Sequence, residues 1–209
     1  MPEPYSRRPK TAADILDRVL SRLGNDLPIP VQAWDIGGAP MVYRRLKGGT
    51  KDVDLVVETE DERQAIVNAL TNRDYDSYYD LPEYDGMEAV FMRKDNEVGI
   101  DVFVKRIKGK FELSEGMKGR ADPHRIFGNL AIRDCSNGDL LLLKAVTNRP
   151  DDDADVLILA GTAPPVEEMK RELAFQQNLS GTPWPSIVAE ALRQISRRTG
   201  VEIPLADEF

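Results

Sequence analysis

The segment Asp52–Leu55 constrains the fold more than any other part of the chain. Asp52 and Asp54 alternate in it with Val53 and Leu55. Because successive side chains of a β-strand point to opposite faces, this alternation predicts a strand with both carboxylates on one face. Two carboxylates close together repel each other in a partly desolvated site. The pattern therefore also predicts a cation beside the pair.

A third carboxylate belongs to the same prediction. Asp101 lies inside Gly99–Val104, an apolar run typical of a strand. If that strand is central, burying an unpaired charge is costly, whereas an edge strand would leave Asp101 solvated. Mg²⁺ and Mn²⁺ prefer carboxylate oxygens, with phosphate oxygens and water in the remaining positions. We therefore expect Asp52, Asp54 and Asp101 to be metal ligands. The alternative for the Asp-x-Asp pair is an ordinary exposed strand.

Composition excludes several other kinds of site. The sequence of 209 residues contains one cysteine, Cys135, and one histidine, His124. An internal disulfide and a zinc site with several Cys or His ligands are therefore excluded, and a hydrolytic triad would depend on His124 alone. No segment approaches the roughly 20 apolar residues of a membrane span, and residues 1–10 lack the apolar run of a signal peptide. We expect a cytoplasmic protein without membrane contact.

The charge distribution is uneven. A net charge of −8 argues against nucleic-acid binding through an overall positive field. Basic residues nevertheless flank the aspartates. They are Arg44, Arg45, Lys47 and Lys51 before the pair, and Lys105, Arg106, Lys108, Lys110, Lys118, Arg120 and Arg125 after Asp101. These side chains are either solvated surface or a positive rim suited to a polyphosphate.

Periodicity and turn residues predict alternating helices and strands, followed by a helical carboxyl-terminal third. The predicted strands are 31–36, 53–57, 87–93, 98–104 and 129–133, with a hairpin turn at 94–97. The first helices are 11–23, capped by Thr11 and ended by Gly24, 40–46, and 59–70, which begins with a capping box of Thr59 and Glu62. Residues 107–127 are predicted to be a loop with at most one short element. Further helices are expected from Ser136 and over 151–159, 165–179 and 185–199. These elements predict an α/β fold with a small mixed sheet packed by helices, with residues 1–135 as the core and 136–209 as a helical extension.

The order of these elements resembles the nucleotidyltransferase superfamily of DNA polymerase β type. Its signature is an apolar residue with Gly-Gly or Gly-Ser, a short gap, and Asp-x-Asp, which correspond here to Ile36–Gly38 and Asp52–Asp54. The run Leu140–Lys144, followed by an arginine and an aspartate, is similar to a helical motif of small prokaryotic members linked to abortive-infection toxin-antitoxin systems. The resemblance covers about residues 31–161.

The resemblance implies transfer of a nucleoside monophosphate from a nucleoside triphosphate to an acceptor hydroxyl, with Mg²⁺ or Mn²⁺ as the cofactor. The triphosphate would lie at Gly37 and Gly38, where backbone N–H groups and the helix dipole favour anions. Asp52 and Asp54 would hold two metal ions, and Asp101 would complete the site and accept the proton of the hydroxyl. Phosphate contacts are expected from Lys51, Lys144 and Arg149. A core lysine that extends to solvent is the alternative for Lys144.

The acceptor stays open between a tRNA end, a protein side chain and a small molecule such as an aminoglycoside. The toxin members imply a cognate antitoxin as a partner. The alternative function is a catalytically silent nucleotidyltransferase-like module that binds a nucleotide or a protein. The intact aspartates argue against it, because an unused acidic cluster carries an electrostatic cost. A hydrolase that depends on His124 has no other residue in its support.

Overall fold

The computed structural model describes residues 10–78, 89–107 and 110–209. The predictions for residues 1–9, for positions 87 and 88 of the predicted strand 87–93 and for Lys108 lie outside the described residues. The chain divides into two compact units: the first is Met1–Leu113 with Ala121–Cys135, and the second is Ser114–Arg120 with Ser136–Phe209. The second unit thus includes a segment, Ser114–Arg120, that the sequence prediction assigned to the core.

A mixed β-sheet is the centre of the first unit. Its strands are β1 Val31–Asp35, β2 Asp52–Val57, β3 Asp76–Tyr78, β4 Ala89–Arg93, β5 Gly99–Val104, β8 Arg125–Phe127 and β9 Leu130–Asp134. In the described part of the chain these seven strands follow the order β3-β4-β5-β2-β1-β9-β8. The pairs β2–β5 and β1–β9 are parallel, and the other pairs are antiparallel. A separate ribbon is formed by β6 Arg106–Ile107 and β7 Phe111–Glu112.

Helices cover one face of this sheet. They are α1 Ala13–Asp26, α2 Ala39–Tyr43 and α3 Glu60–Thr71. Apolar side chains of α1 and α3, such as Leu20 and Ile66, form a buried core with Leu55 and Ile100 of the sheet. The predicted capping box begins α3: the Glu62 N–H donates to the Thr59 hydroxyl, and the Glu62 carboxylate accepts from the Thr59 N–H. This local signal predicted the start of α3 correctly.

The first helix differs from its prediction at both ends. Thr11 does not cap it, because the backbones of Thr11 and Thr50 form a two-hydrogen-bond bridge. The helix also continues through Gly24. A Cβ at this position would lie 1.6 Å from the carbonyl oxygen of Phe127. Gly24 is therefore required by the close approach of a neighbouring backbone and does not end the helix.

Residues 107–127 are not the loop that the sequence predicts. They include β7, the helix α4 Glu115–Arg120 and β8. These elements are too short to show a hydrophobic period, and a side-chain hydrogen bond begins α4, because the Met117 N–H donates to the Ser114 hydroxyl at 2.9 Å. The helix after the glycine turn is also shorter than predicted, since α2 ends at Tyr43.

The second unit is helical, as predicted. Its longer helices are α5 Asn137–Thr147, α6 Asp153–Gly161, α7 Val166–Ser180 and α8 Trp184–Thr199, with 3₁₀ turns at Pro150–Asp152 and Pro204–Asp207. Ser136 caps α5, since its hydroxyl accepts from the Asp139 N–H. None of the helices within the described ranges has the length and apolar character needed to span a membrane. The predicted α/β fold class, with a mixed sheet, packed helices and a helical carboxyl-terminal region, is confirmed.

Candidate functional site

The pairing of β2 with β5 brings the three predicted aspartates together on one face of the sheet. Asp54 lies directly opposite Asp101 across these parallel strands, and Asp52 points to the same face two residues earlier. Asp52 and Asp101 are buried, with 6% and 2% of their surface exposed, whereas Asp54 is half-buried. β5 lies between β2 and β4. The edge-strand alternative for Asp101 is therefore wrong.

A buried arginine that the sequence analysis missed joins the aspartates. Arg93 ends β4, and its Nη1 donates a short hydrogen bond to the Asp101 carboxylate. Its Nη2 lies 3.8 Å from Asp52 Oδ1. The antiparallel register pairs Phe91 with Asp101, so Arg93 shares the aspartate face two residues further along β4. The predicted hairpin did not contain this signal, because a turn at residues 94–97 pairs Arg93 with Val98 and would place it on the face opposite Asp101, one residue out of the observed register.

The environment of Asp101 changes its acidity. Burial raises the pKa of the Asp101 carboxyl to about 7, with Arg93 opposing this shift and the charges of Asp52 and Asp54 adding to it. A carboxyl with this pKa can exchange a proton near neutral pH. Asp101 therefore has the acidity that a proton acceptor in the predicted site requires.

The aspartates fit a divalent cation by their chemistry, but two of them already contact an arginine. All-oxygen carboxylate ligands are those that Mg²⁺ and Mn²⁺ prefer. Within residues 10–78, 89–107 and 110–209, however, no three His, Cys, Asp or Glu side chains are grouped so that they could hold a metal ion. Arg93 contacts both Asp52 and Asp101, so a guanidinium stands where a cation shared by these two carboxylates would have to bind.

The predicted glycine turn lies directly beside Asp54. The Ile36 N–H donates to the Asp54 carbonyl at 3.0 Å, which brings the turn to the start of β2. A Cβ on Gly37 would lie 1.9 Å from Asp54 Oδ2, and a Cβ on Gly38 would lie 2.5 Å from the Thr50 hydroxyl oxygen. Both positions therefore require glycine because of close contacts. The motif keeps its two parts, the turn and the aspartates, in contact.

The hydrogen bonds of the turn differ from those expected of an open phosphate site. The Gly37 N–H donates to Asp35 Oδ1 at 3.1 Å, so it already has an acceptor inside the protein. The following helix, α2, has five residues. The predicted Lys51 is half-buried and directly precedes β2. Lys47 also lies beside the turn, since its Nζ would be 3.3 Å from a Cβ on Gly38.

The other two predicted phosphate contacts belong to the second unit, where both are paired. Lys144 is 5% exposed, and its Nζ lies 2.6 Å from Asp152 Oδ1 and 2.9 Å from Asp155 Oδ2. Burial lowers the pKa of Lys144, but the two carboxylates outweigh burial and raise it overall. Arg149 lies 2.9 Å from the other oxygen of Asp152. These ion pairs account for Lys144 and Arg149 within the helical unit, and their phosphate role stays a prediction.

Asp35 is a further buried carboxyl, and the sequence analysis did not single it out. It ends β1 opposite Asp134 of β9. Arg125 pairs with Asp134 at 2.6 Å and stacks on the ring of Tyr43 at 3.8 Å. Burial and the charge of Asp134 raise the pKa of Asp35 well above its ordinary value, and Arg125 opposes them. Among the described residues Asp35 Oδ2 has no hydrogen-bond partner. The other oxygen, Oδ1, is the acceptor for the N–H of Gly37 in the glycine turn.

The single histidine and cysteine lie outside this arrangement. His124 is exposed, and Cys135 is buried, with its backbone N–H donating to the Asp35 carbonyl. The aspartate cluster is defined as the three predicted aspartates, Asp52, Asp54 and Asp101, together with Arg93, which was not predicted.

Comparison with known proteins finds similarity among solved structures. No protein-family model matches the chain, and no curated protein sequence matches it. The fold is similar to the crystal structure of an antigenic nucleotidyltransferase-like protein from Paracoccidioides brasiliensis, with 17% sequence identity and a TM-score of 0.46. The alignment covers 86% of this chain and 94% of that chain. A similarity of this size does not indicate a function for this chain.

Proposed function

We propose that this protein is a metal-dependent nucleotidyltransferase that moves a nucleoside monophosphate from a nucleoside triphosphate to an acceptor hydroxyl. The observation that carries the proposal is the register of β2 and β5, which puts Asp54 opposite Asp101 with Asp52 on the same face. The glycine turn of the same motif touches Asp54. This combination supports nucleotidyl transfer better than either part alone, because the chemistry needs metal ligands beside a space for phosphates.

Each residue of the cluster has a role in the proposal. Bound Mg²⁺ or Mn²⁺ would supply electrophilic stabilisation of the triphosphate and a more acidic acceptor hydroxyl. Asp52 and Asp54 provide oxygen ligands for it. Asp101, whose pKa is about 7, provides a further ligand or accepts the proton of the hydroxyl.

The turn and the basic residues before β2 act on the triphosphate. Gly37 and Gly38 let the turn pack against Asp54 and Thr50, which keeps its backbone beside the proposed metal ligands. Lys47 and Lys51 provide positive charge next to it. The acceptor in this proposal is a tRNA, a protein or a small molecule. The resemblance to toxin members extends the proposal to a cytoplasmic toxin with a cognate antitoxin.

A labelling experiment tests the proposed reaction. The protein is incubated with each α-labelled nucleoside triphosphate, Mg²⁺ and a mixture of cellular RNA, protein and small metabolites, and the label in each fraction is measured. We expect label in one fraction, and a loss of about 100-fold or more with Asp54→Asn, because a metal ligand acts directly on the transition state. Asp95→Asn, in the exposed turn between β4 and β5, is the matched control. Absence of label from every fraction would contradict the proposal.

A second candidate function has one observation in its favour. In a catalytically silent nucleotidyltransferase-like module the aspartates would serve no metal ion, and Arg93 already provides a cation for Asp101 and Asp52. The electrostatic cost of the cluster is therefore lower than the sequence implied. This candidate predicts triphosphate or protein binding that does not depend on Mg²⁺.

A further inference from the structure

Arg93 is held in one position by several contacts. Its Nη1 donates to the Met92 carbonyl oxygen at 3.0 Å as well as to Asp101, and its guanidinium carbon lies 5.6 Å from the centre of the Phe91 ring. Arg93 is 5% exposed. A side chain this buried and this constrained does not exchange freely with solvent. Its charge therefore belongs to the aspartate cluster.

The pairs that Arg93 makes are buried on both sides. The Arg93 side chain is 6% exposed, that of Asp101 is 2% exposed and that of Asp52 is 8% exposed. Interactions between charges are stronger in such surroundings than at the surface, because little solvent screens them. A second cation that approaches the same carboxylates would meet this guanidinium at short range and be repelled by it.

We propose that Arg93 is a resident counter-ion that competes with the divalent metal for Asp101 and Asp52. This inference rests on the proposed function for the presence of a metal. Metal binding at the cluster then requires Arg93 to release the Asp101 carboxylate, and Arg93 sets the metal affinity. In the metal-free protein Arg93 stabilises the sheet at the point where buried carboxylates of β2 and β5 meet. Arg93 is a positioning residue, since it acts through the carboxylates.

Mn²⁺ binding, followed by the electron paramagnetic resonance signal of the free ion, tests this competition. We expect Arg93→Met to bind Mn²⁺ about tenfold more tightly than the wild-type protein, because the competing charge is gone. Arg93→Lys keeps the charge and should stay close to wild type. Arg63→Met is the matched control, since it removes an arginine from an exposed pair with Glu60 on α3. Binding by Arg93→Met that is equal to or weaker than binding by Arg63→Met would overturn the inference.

Two further measurements keep the test decisive. Asp54→Asn should weaken Mn²⁺ binding, which would locate the measured ion at the aspartate cluster. Thermal unfolding should show a lower Tm for Arg93→Met without metal and a larger Mn²⁺-dependent rise than in wild type, since a ligand stabilises the state that binds it. If Arg93→Met does not fold, Arg93→Gln, which keeps a hydrogen-bond donor for Asp101, carries the same expectation.

The outcome is separable from that of the proposed function. Tighter Mn²⁺ binding by Arg93→Met without labelling of any acceptor would support the competition and count against nucleotidyl transfer. Labelling with unchanged Mn²⁺ affinity in Arg93→Met and Arg93→Gln would support transfer and overturn the competition. Absence of Mn²⁺ binding from the wild-type protein and both variants would overturn the inference as well.

Discussion

Asp35 is a buried carboxyl that holds the glycine turn through a hydrogen bond. It pairs across β1 and β2 with Leu55 and so lies on the sheet face opposite Asp54. Its Oδ1 nevertheless accepts the N–H of Gly37, the residue that touches the Asp54 carboxylate. Asp35 therefore acts on the predicted site through the backbone of the turn.

The raised pKa of Asp35 predicts a pH dependence of stability. As the pH rises above the ordinary pKa of 3.8, the carboxyl of Asp35 ionises in the unfolded chain before it ionises in the folded protein. The free energy of unfolding therefore falls with rising pH until Asp35 also ionises in the folded state. Asp35→Asn keeps an acceptor for the Gly37 N–H and cannot ionise. We expect it to be more stable than wild type at pH 8 by about 1 kcal/mol or more, with little difference at pH 4. Urea unfolding across this range measures the effect, and parallel curves for the two proteins would contradict it.

At the scale of elements, the β1–α2 turn and the start of β2 form the densest part of the motif. Gly37→Ala would place a Cβ 1.9 Å from Asp54 Oδ2, so either the turn or the carboxylate has to move. We expect a loss of about 1–3 kcal/mol in the free energy of unfolding, together with a weaker transfer activity. Both are measured, by urea unfolding and by the labelling assay.

Gly48→Ala is the control for this change. Gly48 lies between α2 and β2, and a Cβ there would meet nothing within 4 Å. Its free energy of unfolding should change by no more than about 0.5 kcal/mol. The account of the turn is wrong if Gly37→Ala and Gly48→Ala have the same stability and the same activity.

Local signals in the sequence were sufficient for several elements and insufficient for others. The Thr59–Glu62 capping box and the β4–β5 hairpin depend on residues close in the chain, and both were predicted. Thr11 has the side chain of a helix cap but pairs with Thr50, and Gly24 has the character of a helix end but fits beside Phe127. In both cases a contact distant in sequence overrode the local preference.

At the scale of the whole molecule, strand order decided how much of the site could be predicted. Alternation predicted that Asp52 and Asp54 share a face, but the parallel pairing of Asp54 with Asp101 joins segments that are far apart in sequence. Asp101 was expected to join the pair because a charge inside an apolar strand needs a compensating partner, and the resemblance to a known superfamily implied the same, but neither gave the strand pairing. The ion pairs of Lys144 and the burial of Asp35 depend on packing that no periodicity shows. The position of Arg93 beside Asp101 depends on a hairpin register that differs by one residue from the one that the predicted turn at residues 94–97 implies.

The net charge of the molecule makes the neutralisation of the cluster a question of local contacts. With a formal net charge of −8, the protein as a whole does not attract a nucleoside triphosphate. In the proposed function, triphosphate binding therefore depends on the lysines near the turn and on a cation at the aspartates. This requirement separates the proposed enzyme from the catalytically silent module.

Titration of the protein with nucleoside triphosphates, with and without Mg²⁺, shows whether the aspartates hold the ion that the proposed reaction needs. We expect Mg²⁺-dependent binding by the wild-type protein and by the Asp95→Asn control. The double variant Asp52→Asn, Asp54→Asn should lose this binding, because the carboxylates that hold the ion are removed. Binding that does not require Mg²⁺ and that survives both substitutions would contradict the account and leave the aspartates without a role in metal chemistry.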